Sequence, residues 1–140
     1  EIGGGRLVNI SDMQSKYDRQ VIGAGNVRST AGDALAFIDG VVHGDLLTEP
    51  TRQAMRTPNP FSEDEDGHGY GYGLARTEVD GRVFYGHTGG DVGAGTFLMT
   101  AEDGQLSMVG LTNAGMFLGG PLQDVWNEDL LAEVVAAALP

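Results

Sequence analysis

Gly69-Tyr70-Gly71-Tyr72-Gly73-Leu74, running on through Ala75-Arg76-Thr77-Glu78-Val79-Asp80-Gly81-Arg82-Val83-Phe84-Tyr85-Gly86-His87-Thr88, is the stretch on which the fold turns. Tyr70, Tyr72 and Leu74 alternate with glycines, a period of two that belongs to a strand. Asp80-Gly81 is a strong two-residue hairpin turn, so Arg82 to Thr88 reads as the strand returning beside the first. Downstream, Thr96 to Thr100 and Gln105 to Thr112 form a second pair, joined through Glu102-Asp103-Gly104. The expectation is an antiparallel meander of about four strands.

Upstream of the meander the pattern is helical. Thr30 followed three residues later by Asp33 is a capping-box arrangement that starts a helix. Leu35, Phe37, Ile38, Val41 and Val42 then recur at helical spacing, and Gly44 stands where a C-terminal cap belongs. A second short helix begins at Thr48 with Pro50 in its first turn, and ends near Thr57 because Pro58 disfavours helix before it. At the other end Pro121 opens a helix whose Leu122, Val125, Trp126, Leu130 and Val134 make one apolar stripe. Helices, then meander, then helix is an α+β order: an antiparallel meander with helices packed on it. The organisation is one incomplete domain over 1–140: a helical and loop segment at 1–61, the strands at 62–113, and a C-terminal helix in 114–140.

The composition restricts the function. With 8 basic and 20 acidic residues the chain carries a net charge of −12, unsuited to binding nucleic acid or an anionic membrane surface. No apolar run reaches the roughly 20 residues of a membrane-spanning helix. The absence of cysteine excludes disulfides, thiolate metal sites and a cysteine nucleophile. The 23 glycines have no period, so a collagen-like or linker role does not account for them. The chain begins at Glu1 with no signal peptide, which reads as a processed or excised piece.

Three stretches invite a chemical reading. Val21-Ile22-Gly23-Ala24-Gly25-Asn26-Val27-Arg28 resembles a dinucleotide-binding turn, but Arg28 occupies the third glycine position and no parallel strand follows the helix. Ser62 to Gly67 starts like a calcium loop, yet its twelfth position is Gly73 rather than Glu, so a solvated acidic turn is the better reading. His43 reads as a cation in the last turn of a helix; His68 carries no assigned role. Tyr85-Gly86-His87-Thr88-Gly89-Gly90 differs from these. It places an imidazole and a hydroxyl at a strand end, before glycines that let a ligand lie against the edge and free backbone N–H groups for an oxyanion. On its own this is balanced by a plain glycine-rich turn with an exposed histidine.

The succession Gly69-Tyr70-Gly71-Tyr72-Gly73-Leu74, Tyr85-Gly86-His87-Thr88-Gly89-Gly90, Gly95-Thr96-Phe97-Leu98 and Leu111-Thr112-Asn113-Ala114 resembles the C-terminal half of the β-lactamase-related serine hydrolases. That family includes class C β-lactamases, D-alanyl-D-alanine carboxypeptidases and esterases. The segment Arg28 to Phe37 is similar to the family's stretch ahead of this region. The resemblance implies the C-terminal part of a β-lactamase/transpeptidase-like fold and acyl transfer through a serine ester, without cofactor or metal. It makes His87-Thr88-Gly89 the third motif. His87 would assist proton movement, the Gly90 N–H would form half of an oxyanion hole, and Thr88, Gly89 and Tyr72 would contact substrate.

The family's Ser-x-x-Lys is not found in this chain: Lys16 is the sole lysine, and the position three before it is Met13. No Tyr-x-Asn or Ser-x-Asn triplet is present either. The expectation is therefore a chain inactive by itself that completes a site with its missing N-terminal half, or self-associates through an unpaired sheet edge. Its substrate would be a β-lactam, a D-Ala peptide or an ester, and the resemblance favours an extracytoplasmic setting. The competing class is a binding or structural module that keeps the fold without chemistry, and a dinucleotide-binding fragment comes third.

Overall fold

In a computed structural model of the chain, the residues described are 12, 25, 27–64, 67–91, 94–113 and 130–138. Helix α1 (Ala31–Val42) is followed by α2 (Glu49–Arg56). Strands β1 (Gly69–Tyr70), β2 (Ala75–Val79), β3 (Arg82–Asp91), β4 (Ala94–Ala101) and β5 (Ser107–Thr112) come next, and then helix α3 (Leu130–Ala138). The five strands form one sheet in the order β1-β2-β3-β4-β5, with every pair antiparallel. This is the α+β class read from the sequence, with five strands where about four were expected. The extra one is the two-residue β1.

The local reasons are visible in the backbone. Thr30 caps α1 by accepting a hydrogen bond from the Asp33 N–H at 3.2 Å. Asp80 and Gly81, at φ 51° and 73°, make the tight β2–β3 turn that suits the twist of a hairpin. Gly44 directly follows the C-cap residue His43, where a capping glycine was expected, and its N–H bonds the Asp39 carbonyl at 2.9 Å, though without the left-handed φ of a glycine cap. It packs so closely on α1 that a Cβ there would lie 2.9 Å from the Gly40 Cα. Tyr72 is likewise not in a strand. The Gly71 N–H bonds the Leu74 carbonyl at 2.8 Å and Gly73 takes φ 78°, so residues 71–74 turn the chain from β1 into β2.

Each face of the sheet carries its own apolar cluster. Phe84, Phe97, Met99, Ala101 and Met108 pack with Leu131 and Val135 of α3. Tyr85 and the partly buried Val83 and Leu98 pack with Ile38, Val41 and Val42 of α1, and Met55 of α2 adds to that side. Neighbouring residues of β3 thus serve opposite cores, as the pleat requires. A polar clasp also pins α1 to the sheet. The fully buried Thr100 lies 3.2 Å from Asp39 Oδ1 and 2.8 Å from Ser107 Oγ, and Ser107 donates to Asp39 at 2.5 Å. His43 does not simply face solvent at a helix end, because its Nε2 lies 3.0 Å from the Ala101 carbonyl.

The acidic loop read at Ser62 to Gly67 is described except at 65–66, and His68 donates its backbone N–H to Asp64 Oδ1 at 2.9 Å. The readings at residues 1–11 and 13–24, including Lys16 and most of the dinucleotide-like turn, lie outside the described residues, as does the stretch from Pro121 to Trp126. With every strand pair antiparallel, the strand–helix–parallel strand unit that a dinucleotide turn needs does not occur among the described residues. Nor, among them, is any helix long and apolar enough to cross a membrane.

Candidate active site at the open half of strand β3

The His-Thr-Gly stretch does not end its strand as expected; it lies inside β3, which continues to Asp91. The reason is pairing rather than side-chain pattern. β4 runs beside β3 without a break from Phe84↔Ala101 to Asp91↔Ala94, so glycines with no strand preference of their own are held extended. On the other side β2 accompanies β3 only from Arg82 to Gly86. From His87 onward, no described strand pairs with that side. His87 is the first residue of this open half, and His87, Thr88 and Gly90 are all exposed.

The unbroken register sorts the motif's atoms. His87 shares a face with Tyr85 and Leu98, above α1 and α2, whereas Thr88 shares the α3 face with Phe84 and Phe97. The imidazole and the hydroxyl therefore leave the strand on opposite faces, and what joins them is the edge between. Backbone groups alternate in the same way, so the N–H groups of Thr88 and Gly90 point to one side of the strand. Gly86, one residue before the open half, leaves no space for a side chain: a Cβ would stand 2.8 Å from the Met99 Cα. Gly89 is similarly close, 2.8 Å from the Thr96 Cγ2.

The structure adds one residue that the sequence reading did not single out. Tyr70 Oη lies 2.9 Å from His87 Nε2, with the two rings nearly perpendicular at 87° and their centroids 5.5 Å apart. Tyr70 pairs with Ala75 and Ala75 with Gly86, so Tyr70 reaches His87 just past the end of β2. The other ring nitrogen, Nδ1, contacts the Thr88 carbonyl oxygen. Tyr72, named from the sequence as a substrate contact, is 77% exposed in the adjacent turn. The available sequence signal for Tyr70 was its place in the same Gly-Tyr-Gly-Tyr run.

In the half of β3 that is paired on both sides, Tyr85 donates its hydroxyl to Glu102 Oε1 at 3.0 Å. Burial, and then that carboxylate, push the Tyr85 phenol above its ordinary value. No group of three potential metal ligands occurs among the described residues. The site offers an imidazole, two tyrosine hydroxyls, a threonine hydroxyl and backbone donors along an open strand. It can align a polar or extended ligand and hold charge that develops on an oxygen.

The comparisons with known proteins bear on this arrangement. The family model described as Beta-lactamase matches residues 3–131. No curated protein matches the chain. Among solved structures the chain is similar to a D-stereospecific amidohydrolase from Streptomyces sp., at 30% identity and a TM-score of 0.56. That match covers 62% of this chain and 26% of the amidohydrolase, so it spans about a quarter of that protein.

Proposed function

The chain belongs to the β-lactamase family, and on that premise we propose that it is the His-Thr-Gly-bearing portion of a serine hydrolase. The reaction is acyl transfer from an amide or ester to a serine hydroxyl, then to water. The observation that carries the proposal is the open half of β3: His87 stands at its start, held by Tyr70, and Gly90 lies three residues along the same edge, which no described strand pairs. An oxyanion requires N–H groups that a neighbouring strand has not taken, and removing one such donor typically costs on the order of 10²–10³ in rate. Gly90 supplies that donor, Thr88 and Gly89 line the strand beside the acyl group, and Tyr72 flanks it from the turn. His87 assists the movement of the serine proton.

The serine and its amine come from outside this chain, which carries no Ser-x-x-Lys at all. The likeness to a D-stereospecific amidohydrolase supports an amide of D configuration as the first substrate to try. Labelling with a fluorophosphonate, followed by denaturing intact-mass measurement, tests the division of labour. The expected adduct appears on a polypeptide bearing Ser-x-x-Lys and not on the 14.7 kDa chain. An adduct on this chain would place the nucleophile among Ser11, Ser15, Ser29, Ser62 and Ser107 and overturn the division. No adduct on either polypeptide would favour a binding module that keeps the fold without chemistry.

A further inference from the structure

We infer that Tyr70 is the positioning residue of His87: it holds the imidazole in a single tautomer, and its own hydroxyl, not a ring nitrogen, faces the open edge. The inference gives the proposed hydrolase site a further member, so its place in catalysis rests on that reading; the geometry from which it is drawn does not.

The hydrogens available at the two ring nitrogens decide the tautomer. A carbonyl oxygen only accepts, so the contact between His87 Nδ1 and the Thr88 carbonyl requires the proton to be on Nδ1. In neutral imidazole the other nitrogen then carries a lone pair, and Nε2 must accept. Among the described residues, the hydrogen placed to reach it is the phenolic one of Tyr70, whose Oη is 2.9 Å away. Both ring nitrogens are thus occupied, one by backbone and one by Tyr70. The phenol has given its single hydrogen to Nε2 and retains only lone pairs. Tyr70 is 42% exposed as a residue, and its oxygen, beside His87 at the start of the edge, is an acceptor.

That arrangement selects what the edge can meet. A hydroxyl or ammonium group donating to Tyr70 Oη fits, whereas a carbonyl or carboxylate oxygen brought to the same point meets another lone pair. In the proposed hydrolase the fitting group is an attacking hydroxyl or a substrate amine. The acyl oxygen is directed instead to the backbone donors further along β3.

The second tightly held histidine makes an internal standard. His43 Nε2 faces the Ala101 carbonyl, so His43 carries its proton on Nε2, the opposite tautomer. The experiment is nitrogen-15 NMR of the histidine side chains in the full chain, without substrate, at a pH above the histidine range of roughly 6.5. A His87→Ala variant assigns the signals. The expected result is a protonated Nδ1 and bare Nε2 for His87, with the reverse for His43. In Tyr70→Phe nothing holds the ring turned onto the Thr88 carbonyl, so that bond opens and His87 redistributes its proton between the two nitrogens, while His43 is unmoved and Tyr72→Phe moves neither. A wild-type His87 protonated on Nε2, or His87 signals unchanged by Tyr70→Phe, overturns the inference. If Tyr70→Phe fails to fold, the wild-type tautomer alone decides. No acylation is measured, so failure of the hydrolase reading leaves these outcomes legible, and failure here leaves the labelling test unaffected.

Discussion

Thr100→Val removes one hydroxyl from the clasp between α1 and the sheet while keeping the branched shape of the side chain. The cost follows from which bonds survive. Ser107 still donates to Asp39 at 2.5 Å and His43 still reaches the Ala101 carbonyl at 3.0 Å, so the main loss is the bond donated by Thr100, along with its oxygen's contacts with Ser107 Oγ and, at 3.3 Å, His43 Nε2. That bond runs to a carboxylate oxygen 3.2 Å away, from a residue with no exposed surface where water could take over. Hydrogen bonds to charged groups contribute about 1.5–3 kcal/mol, and the length here favours the lower half, about 2 kcal/mol. With a urea slope of about 1.5 kcal/mol/M, the midpoint should fall by about 1.3 M. Urea titration followed by far-UV circular dichroism measures it. A double-mutant cycle with Asp39→Ala should return a coupling of about 1 kcal/mol, because Thr100 has less to lose once the carboxylate is gone. If Thr100→Val unfolds within about 0.5 kcal/mol of the wild type, or the cycle closes additively, the clasp is not what fastens α1.

Two further outcomes follow from single positions. Gly86→Ala places a Cβ 2.7 Å from the Met99 sulfur and 2.8 Å from its Cα, and a strand backbone cannot step aside alone; denaturant unfolding should show a loss of about 3 kcal/mol, the upper end for overpacking. Tyr85 titrates above the ordinary 10.0, so the folded chain keeps its phenolic proton after the unfolded chain has lost it. The stability this contributes is intact below about pH 10 and declines as pH rises past it, and Tyr85→Phe should flatten that alkaline decline in urea titrations.

How much of this was legible depended on whether the deciding interaction was local. The α1 cap and the Asp80-Gly81 turn were readable because a threonine hydroxyl three residues from an N–H, and two residues at positive φ, are properties of short segments. The length of β3 was not. Gly89 and Gly90 carry no alternation to read, and they are extended because β4 lies alongside. Tyr72 looked like strand because Gly73 fits an alternating pattern as well as it fits a turn; only its φ of 78° separates the two. Of the candidate site, His87 and its glycines stood out as a motif. Tyr70 is 17 residues from His87, and nothing in the intervening sequence states that β2 stops one residue short of the histidine.

That early stop of β2 divides β3 into two halves with different freedoms. Arg82 to Gly86 is flanked by strands on both sides and feeds both apolar clusters through Phe84 and Tyr85, so it carries the folding information. Beyond Gly86 no described strand pairs with the second side of β3, and its side chains at 87 and 88 are exposed. Substitutions there can change the chemistry on offer while costing the fold little. A lineage, or a library built on this scaffold, could exchange one reactive group for another at position 87 and inherit the sheet unchanged. Specificity would then drift faster than architecture, with the boundary between the two lying at a single peptide bond.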